Sequence, residues 1–161
     1  MPFKRLLGRS GIAVSAMGLG CWAIGGPMWR GETPIGWGQV DDAESQRAIR
    51  RALELGITFF DTADVYGGGH SEEVLGRALQ GHRHEVVVAT KFGNVFDAAR
   101  KQAEGTNAEP AYIARACEAS LRRLGCETID LYQLHLGGLG HDQVPVVLDA
   151  LDGLAAAGKI R

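Results

Sequence analysis

Four times along this chain a short apolar run gives way to a longer stretch of helical period. That alternation limits the fold more than any single residue does. The runs are Ser15 to Cys21, Ile57 to Asp61, Glu85 to Lys91 and Thr128 to His135. The helical stretches are Asp41 to Leu55, Ser71 to Gln80, Pro110 to Leu124 and Val144 to Ala157. Val86-Val87-Val88-Ala89 lacks polar alternation, so it suits a strand buried on both faces of a parallel sheet. Alternating β and α elements imply parallel strands joined by right-handed crossovers. Two architectures satisfy that order: a short open sheet with helices on both faces, or half of an eight-unit barrel, which typically needs about 250 residues. Gly158-Lys159-Ile160-Arg161 stops the fourth helix and opens what would be a fifth strand, which favours the barrel. The expected fold is α/β: residues 1–161 as the first four strand-helix units of a TIM barrel. An N-terminal hairpin over Phe3 to Val14 precedes them, turning at Gly8-Arg9-Ser10-Gly11.

The helix ends carry their own signals. Asp41 caps the first helix, with Glu44 three residues on and Gly56 as its stop. Ser71 is the expected cap of the second, and Glu72 and Glu73 suit its positive end. Pro110 opens the third and Gly125 closes it. Ile113, Ala116, Cys117, Ser120, Leu121 and Leu124 share one face of that helix, so Cys117 belongs to packing. Two long loops remain, Trp22 to Val40 and Phe92 to Glu109. The first holds Trp22, Met28, Trp29 and Trp37, which line a pocket over the strand ends or fill a small core of the loop itself.

Parallel α/β folds bind ligands at the C-terminal ends of their strands. Asp61 ends the second strand and Tyr66 follows in its loop; Lys91 ends the third and His135 the fourth. Each has a bland reading: a turn cap, a rim aromatic, a solvated strand end, a satisfied core histidine. Together they make chemical sense. A phenol is a poor acid at neutral pH, with a pKa near ~10. A neighbouring ammonium favours phenolate, and a carboxylate holds that ammonium charged and in place. An imidazole donates to a substrate oxygen. The set would protonate an oxygen that is gaining negative charge, as when hydride adds to a carbonyl. None of these side chains supplies hydride, so a nicotinamide cofactor is implied.

Phe60-Asp61-Thr62-Ala63-Asp64-Val65-Tyr66-Gly67, followed by Gly69-His70-Ser71-Glu72 and Leu75-Gly76-Arg77-Ala78-Leu79, resembles the signature of the aldo-keto reductases. Ala89-Thr90-Lys91-Phe92-Gly93 and Asp130-Leu131-Tyr132-Gln133-Leu134-His135 are similar to that family's next two motifs, in the same order. Met17-Gly18-Leu19-Gly20 and the terminal Gly158-Lys159-Ile160-Arg161 also match its pattern. The resemblance implies a (β/α)8 barrel that reduces aldehydes and ketones with NADPH, or NADH, and uses no metal. It implies a catalytic tetrad of Asp61, Tyr66 as general acid, Lys91 and His135. It also implies a chain about twice this long, whose second half supplies most contacts to the cofactor's diphosphate and adenine ribose. The open edges of the first and fourth strands then invite self-association. Cys21 and Trp22, at the end of the first strand, are expected to touch cofactor or substrate together with Asp61.

Other readings compete. Gly18-Leu19-Gly20-Cys21-Trp22-Ala23 fits a loose dinucleotide fingerprint, but that motif must open a helix directly, and Gly25-Gly26-Pro27 follows. Gly67-Gly68-Gly69 before a helix could cradle phosphate, against the repulsion of Glu72 and Glu73. Asp61, Asp64, His70 and His135 would serve a metal-dependent barrel hydrolase, which leaves Lys91 without a role. A non-catalytic relative of the reductases, such as a channel subunit, is a further class. His82-Arg83-His84 reads as a solvated turn at the opposite face. Net charge is −2, which gives no pull toward nucleic acid or an anionic membrane. Three cysteines without CxxC spacing argue against a disulfide framework or zinc site and for a reducing compartment. With no signal-peptide pattern and no spanning run, the expected location is cytoplasmic.

Overall fold

The hairpin forms where the sequence places it and closes one end of a parallel sheet. The structure, a computed structural model, describes residues 3–161, so Met1 and Pro2 of the expected unit lie outside it. Strands β1 (Lys4–Leu6) and β2 (Ala13–Ser15) are antiparallel. Strand β3 (Leu19–Gly20) is followed by a short 3-10 turn at Ala23–Gly25, then β4 (Trp29–Arg30), β5 (Thr33–Pro34) and helix α1 (Asp42–Glu54). Next come β6 (Phe59–Asp61), α2 (His70–Ala78), β7 (Val87–Phe92), β8 (Asn94–Asp97) and β9 (Gln102–Thr106). The chain continues through α3 (Pro110–Leu124), β10 (Leu131–Leu134) and α4 (Val144–Ala156).

Strands β3, β6, β7 and β10 form one sheet, all parallel, in the order of the chain. Successive neighbours in sequence order are what a right-handed β-α-β winding in one direction produces. Each helix packs on the next, α1 on α2, α2 on α3, α3 on α4. Between sheet and helices lies the main core, with Phe60, Val88 and Phe92 of the strands against Ile49, Leu75, Ile113 and Leu121. On the sheet's other side, Ile12 and Val14 of the hairpin cover Val87 and Phe59. The hairpin is pinned there by two reciprocal bonds: Ser15 N–H donates to Thr58 Oγ1 (3.1 Å), and Thr58 N–H donates to Ser15 Oγ (2.9 Å). At the other terminus Ile160 makes a parallel bridge with Ile129, just before β10.

Four features depart from the sequence reading. The two long loops are not structureless: β5, β4, β9 and β8 form a second, four-stranded sheet across them. Its long-range link is the single register pair Trp29 and Gln102, which no local pattern announces. Ser71 does not cap α2; Gly69, at φ 95°, does. Ser71 is fully buried, and its hydroxyl donates to Cys21 O (2.7 Å) and accepts from Thr62 Oγ1 (2.9 Å). Glu72 is not a solvated first-turn acid but a buried one, paired with Arg123 (2.6 Å) and bonded by Thr90 Oγ1 (2.6 Å). Arg83 is likewise no solvated turn residue, since it pairs with the buried Asp130 (2.7 Å) and donates to Thr128 O (2.8 Å). The cap at Asp41 is as expected, with its carboxylate accepting from Ala43 and Glu44 N–H.

Candidate active site

Three strand ends deliver the candidate residues to one side of the sheet. Register places Asp61, the last residue of β6, beside Ala89 of β7, and Lys91 beside Gln133 of β10. The loop after β6 then turns back over the strand ends: Thr62 N–H donates to Ala89 O (2.8 Å) and Asp64 N–H to Lys91 O (3.2 Å). Tyr66 closes that turn, its N–H donating to Ala63 O (3.2 Å). Gly67 is obligatory here. Its φ is +62°, and a Cβ would sit 1.9 Å from Gly25 O. This close approach, rather than a phosphate cradle, accounts for the glycine. Lys101 Nζ donates to Gly67 O (2.6 Å) and holds the loop from the second sheet.

Lys91 is the hub of the set. Its ammonium donates to Asp61 Oδ1 (2.6 Å), to Thr62 O (2.8 Å) and toward Tyr66 Oη (3.4 Å). Such charge-assisted bonds are short and strong, and the half-buried setting protects them from screening. Asp61 Oδ2 keeps no protein partner among the described residues. The His135 ring stands edge-on to Tyr66, with centroids 5.9 Å apart. Its backbone is tied on both sides, N–H to Phe92 O (2.8 Å) and O to Asn94 Nδ2 (3.3 Å). Burial, then the Lys91 charge, lowers the His135 pKa below the ordinary imidazole value, with Asp61 opposing. Its Nδ1 is buried without a partner. A buried N–H left unmade is costly, so the tautomer that suits this site carries its proton on Nε2.

Above these groups opens a cavity of about 330 Å³, lined by Trp22, Met28, Arg30, Ile35, Val65, Tyr66, Gly67, Asn94 and His135. Trp22 and Trp37 meet edge to face at 5.7 Å, and Trp22 lies 6.2 Å from Tyr66. Met28 does both things the sequence allowed. It packs in a small core with Ala63 and Val65 and also walls the cavity. Trp29 does neither job in the cavity; it is held in β4.

Cys21 corrects an expectation. Trp22 does reach the mouth, but Cys21 is fully buried in the main core, and its thiol points to Leu19 O (3.7 Å). Burial, then the Asp61 charge, pushes that thiol up to about 12. The metal-site alternative is not gathered. Asp61 serves Lys91, His70 bonds Asp42 (2.7 Å), and Asp64 is buried within the loop after β6. Among the described residues no cluster of three metal-ligating side chains occurs. Nor do the first glycines open a helix, and Asp41 caps α1 instead of ending a strand. The sequence reading missed Arg30, Asn94 and Lys101. Asn94 was reachable, being two residues past the end of β7; the others arrive through the second sheet.

Asp64 lies between Asp61 and Tyr66 in the chain yet is 2 % exposed, and its Oδ1 has no partner among the described residues. Burial, then Glu72, raises its pKa well above 3.8, outweighing Arg123, the Val65 N–H and Lys91. The native state therefore binds a proton here that the unfolded chain has released above that ordinary value. Stability from this group is lost as pH rises from 3.8 toward the raised value. Asp64→Asn keeps the shape without the charge. It is expected to raise the melting temperature at neutral pH by a few degrees, on the order of 1 kcal/mol. The gain should shrink on acidification and vanish below 3.8, which melting curves across pH will check.

A parallel sheet wound in sequence order, with a carboxylate, an ammonium, an imidazole and a phenol near its strand ends, has the α/β layout of the TIM-barrel class, whose ligand sites lie at that end. Comparison with known proteins places it further. The model of the Aldo/keto reductase family matches residues 16–161. The Bacillus subtilis aldo-keto reductase YhdN is 41% identical over 156 residues, 94% of this chain and 43% of its own. The uncharacterized oxidoreductase YqkF of the same organism is 38% identical over 160 residues, 98% of this chain and 46% of its own. The holo form of the aldo-keto reductase AKR11C1 from Bacillus halodurans superposes with a TM-score of 0.85 at 37% identity, covering 100% of this chain and 49% of that one. The glycerol dehydrogenase AKR11B4 from Gluconobacter oxydans gives 0.78 at 40% identity, covering 98% and 46%. The chain belongs to the aldo/keto reductase family and has its TIM-barrel-type α/β fold. It spans about half the length of the curated relatives it matches.

Proposed function

We propose that this chain carries the proton-donating part of a carbonyl reductase site, reducing aldehydes or ketones to alcohols with NADPH, or NADH. The observation that carries the reading is Lys91 Nζ, set 2.6 Å from Asp61 Oδ1 and 3.4 Å from Tyr66 Oη. The substrate oxygen is placed between Tyr66 Oη and His135 Nε2, the polar groups of two residues that line the cavity. Tyr66 gives its proton to that oxygen as negative charge develops there. Lys91 faces the phenolate left behind, and Asp61 keeps Lys91 in position. His135 holds the carbonyl oxygen by a hydrogen bond and so orients the carbon. Solvent then returns a proton to Tyr66. A reduced nicotinamide, when bound, supplies the hydride that adds to the carbonyl carbon. The residues fit its reactive end. Asp61 Oδ2 is free to accept from a ribose hydroxyl, and Trp22 offers a half-exposed ring beside Tyr66.

The reading includes the chain's place in a larger barrel. Residues 1–161 are proposed as its N-terminal half, supported by coverage of 43% to 49% of the relatives and by the outer positions of β3 and β10. Those edges are where the half meets its complement, or a second copy of itself. Cytoplasmic residence belongs to the same proposal, on the ground that all three cysteines are free. The test is consumption of NADPH on adding an aromatic aldehyde. It is run with the chain as it stands and with the chain joined to the second half of a matched relative. Carbonyl-dependent consumption with a matching yield of alcohol is expected from the joined protein. Absence of turnover in both forms, each shown to be folded, would overturn the reading.

A further inference from the structure

The cavity over Tyr66 and His135 has one cationic side chain in its wall and no carboxylate. Arg30 lies on β4 and lines the cavity from an exposed position, and among the described residues it has no acidic partner. The other lining groups are apolar (Trp22, Met28, Ile35, Val65) or belong to the carbonyl end. Nor is Arg30 on a loose segment. Trp29 N–H donates to Lys101 O (2.9 Å), Arg30 pairs with Thr33, and Gln102 Nε2 donates to Gly31 O (3.2 Å). The hairpin is thus fastened to β9, and the guanidinium is carried on sheet rather than on free loop. Lys101, outside the lining, is tied by its ammonium to the backbone of Gly67, which does line the cavity. The ammonium of Lys91, by contrast, is already paired with Asp61.

We infer that the site takes carbonyl substrates bearing a carboxylate, with Arg30 holding that group while Tyr66 and His135 hold the carbonyl. The inference rests on the proposed reduction and names its substrate class. An unpaired guanidinium presents a planar fork that matches a carboxylate in two-pronged fashion. A short apolar spacer fits between, against Trp22, Met28 and Ile35, in a cavity of small-molecule size. A neutral substrate of the same shape would leave the guanidinium unmatched.

Binding can be read without turnover, because Trp22 lines the cavity and Trp37 touches Trp22. The probes are 4-(hydroxymethyl)benzoate and 4-(hydroxymethyl)benzamide, product alcohols of equal shape that differ in charge. Tryptophan fluorescence of the chain is titrated with each at low ionic strength. The carboxylate is expected to bind about ten-fold tighter, the worth of one charge-assisted contact of about 1.4 kcal/mol. Arg30→Gln should remove that preference while leaving the amide's affinity within two-fold, and Arg30→Lys should restore part of it. Unchanged circular dichroism and melting temperature keep the variants comparable. Equal binding of the two probes overturns the inference, as does a preference that survives Arg30→Gln. Turnover of the matching aldehydes separates the two readings. Reduction without charge preference leaves the reductase and removes the role of Arg30. Charge preference without reduction leaves the anion subsite and removes the reductase.

Discussion

Tyr66→Phe should lower the turnover number for aldehyde reduction by about 10²–10⁴, the usual worth of a positioned proton donor. The substitution removes one oxygen and leaves the ring, so the contacts with Trp22 and His135 persist. Ligand affinity read by tryptophan fluorescence should therefore change little, and the loss should fall on turnover rather than on KM. The geometry also says why a neighbour does not take over. Lys91 is the nearest proton source, but its ammonium is already committed to Asp61 Oδ1 and Thr62 O. His135 stands closer to the cavity. Burial and the Lys91 charge hold its pKa below the ordinary imidazole value, so near pH 7 it is neutral and a hydrogen-bond donor rather than an acid. Steady-state kinetics of the joined protein, wild type against variant, check this. Activity within three-fold of wild type would remove Tyr66 from the acid role and with it the proposed mechanism.

The strand-end residues were legible because three separate signals coincide on them. Apolar runs mark the strands, parallel topology fixes which end faces ligands, and a polar residue at an apolar run's last place is out of keeping with packing. That argument locates Asp61, Lys91 and His135; the structure links Asp61 and Lys91 to Tyr66 by hydrogen bonds and sets His135 edge-on to Tyr66, these last two lining the cavity. Helix ends were legible where one residue does the job locally, as Asp41 does. They failed where burial decides. Ser71 reads as a cap from its neighbours, but its side chain is taken by Cys21 O and Thr62, residues far off in sequence. Cys21 reads as a mouth residue because it follows a strand; two residues of strand are too few to fix which way it points. The second sheet was hidden for the same reason. Its strands are short, and its two hairpins, β4 with β5 and β8 with β9, join only through the pairing of Trp29 with Gln102, more than seventy residues apart. Arg30 and Lys101 come to the site by that route.

Arg123→Met should be the most destabilising of the surface-reaching substitutions, by about 3–5 kcal/mol in urea unfolding, since it strips the cation from a buried pair. Glu72 is fully buried, and Arg123 Nε reaches its Oε2 at 2.6 Å while Thr90 Oγ1 reaches Oε1 at 2.6 Å. Asp64 lies in the same pocket of charge, and Arg123 and Glu72 both act on it. Removing the guanidinium leaves the buried Glu72 without its counter-ion, near a buried Asp64 whose charge it already disfavours. A loss of that size is a large fraction of the ~5–15 kcal/mol that holds a domain together. It reaches the site as well. Arg123 lies against Gly69, where a Cβ would meet its Cδ at 2.7 Å, so α3 braces the start of α2 directly behind the Tyr66 loop. Met retains most of the side chain's apolar stem, which separates lost charge from lost packing. Two controls sharpen the result. The double variant Glu72→Gln with Arg123→Met should recover much of the stability, because no orphaned charge remains at position 72. The single variant's deficit should narrow as the solution is made acidic and carboxyl groups lose their charge. If the deficit is instead independent of pH and unrelieved in the double variant, the cost lies in packing between α2 and α3 and not in the ion pair.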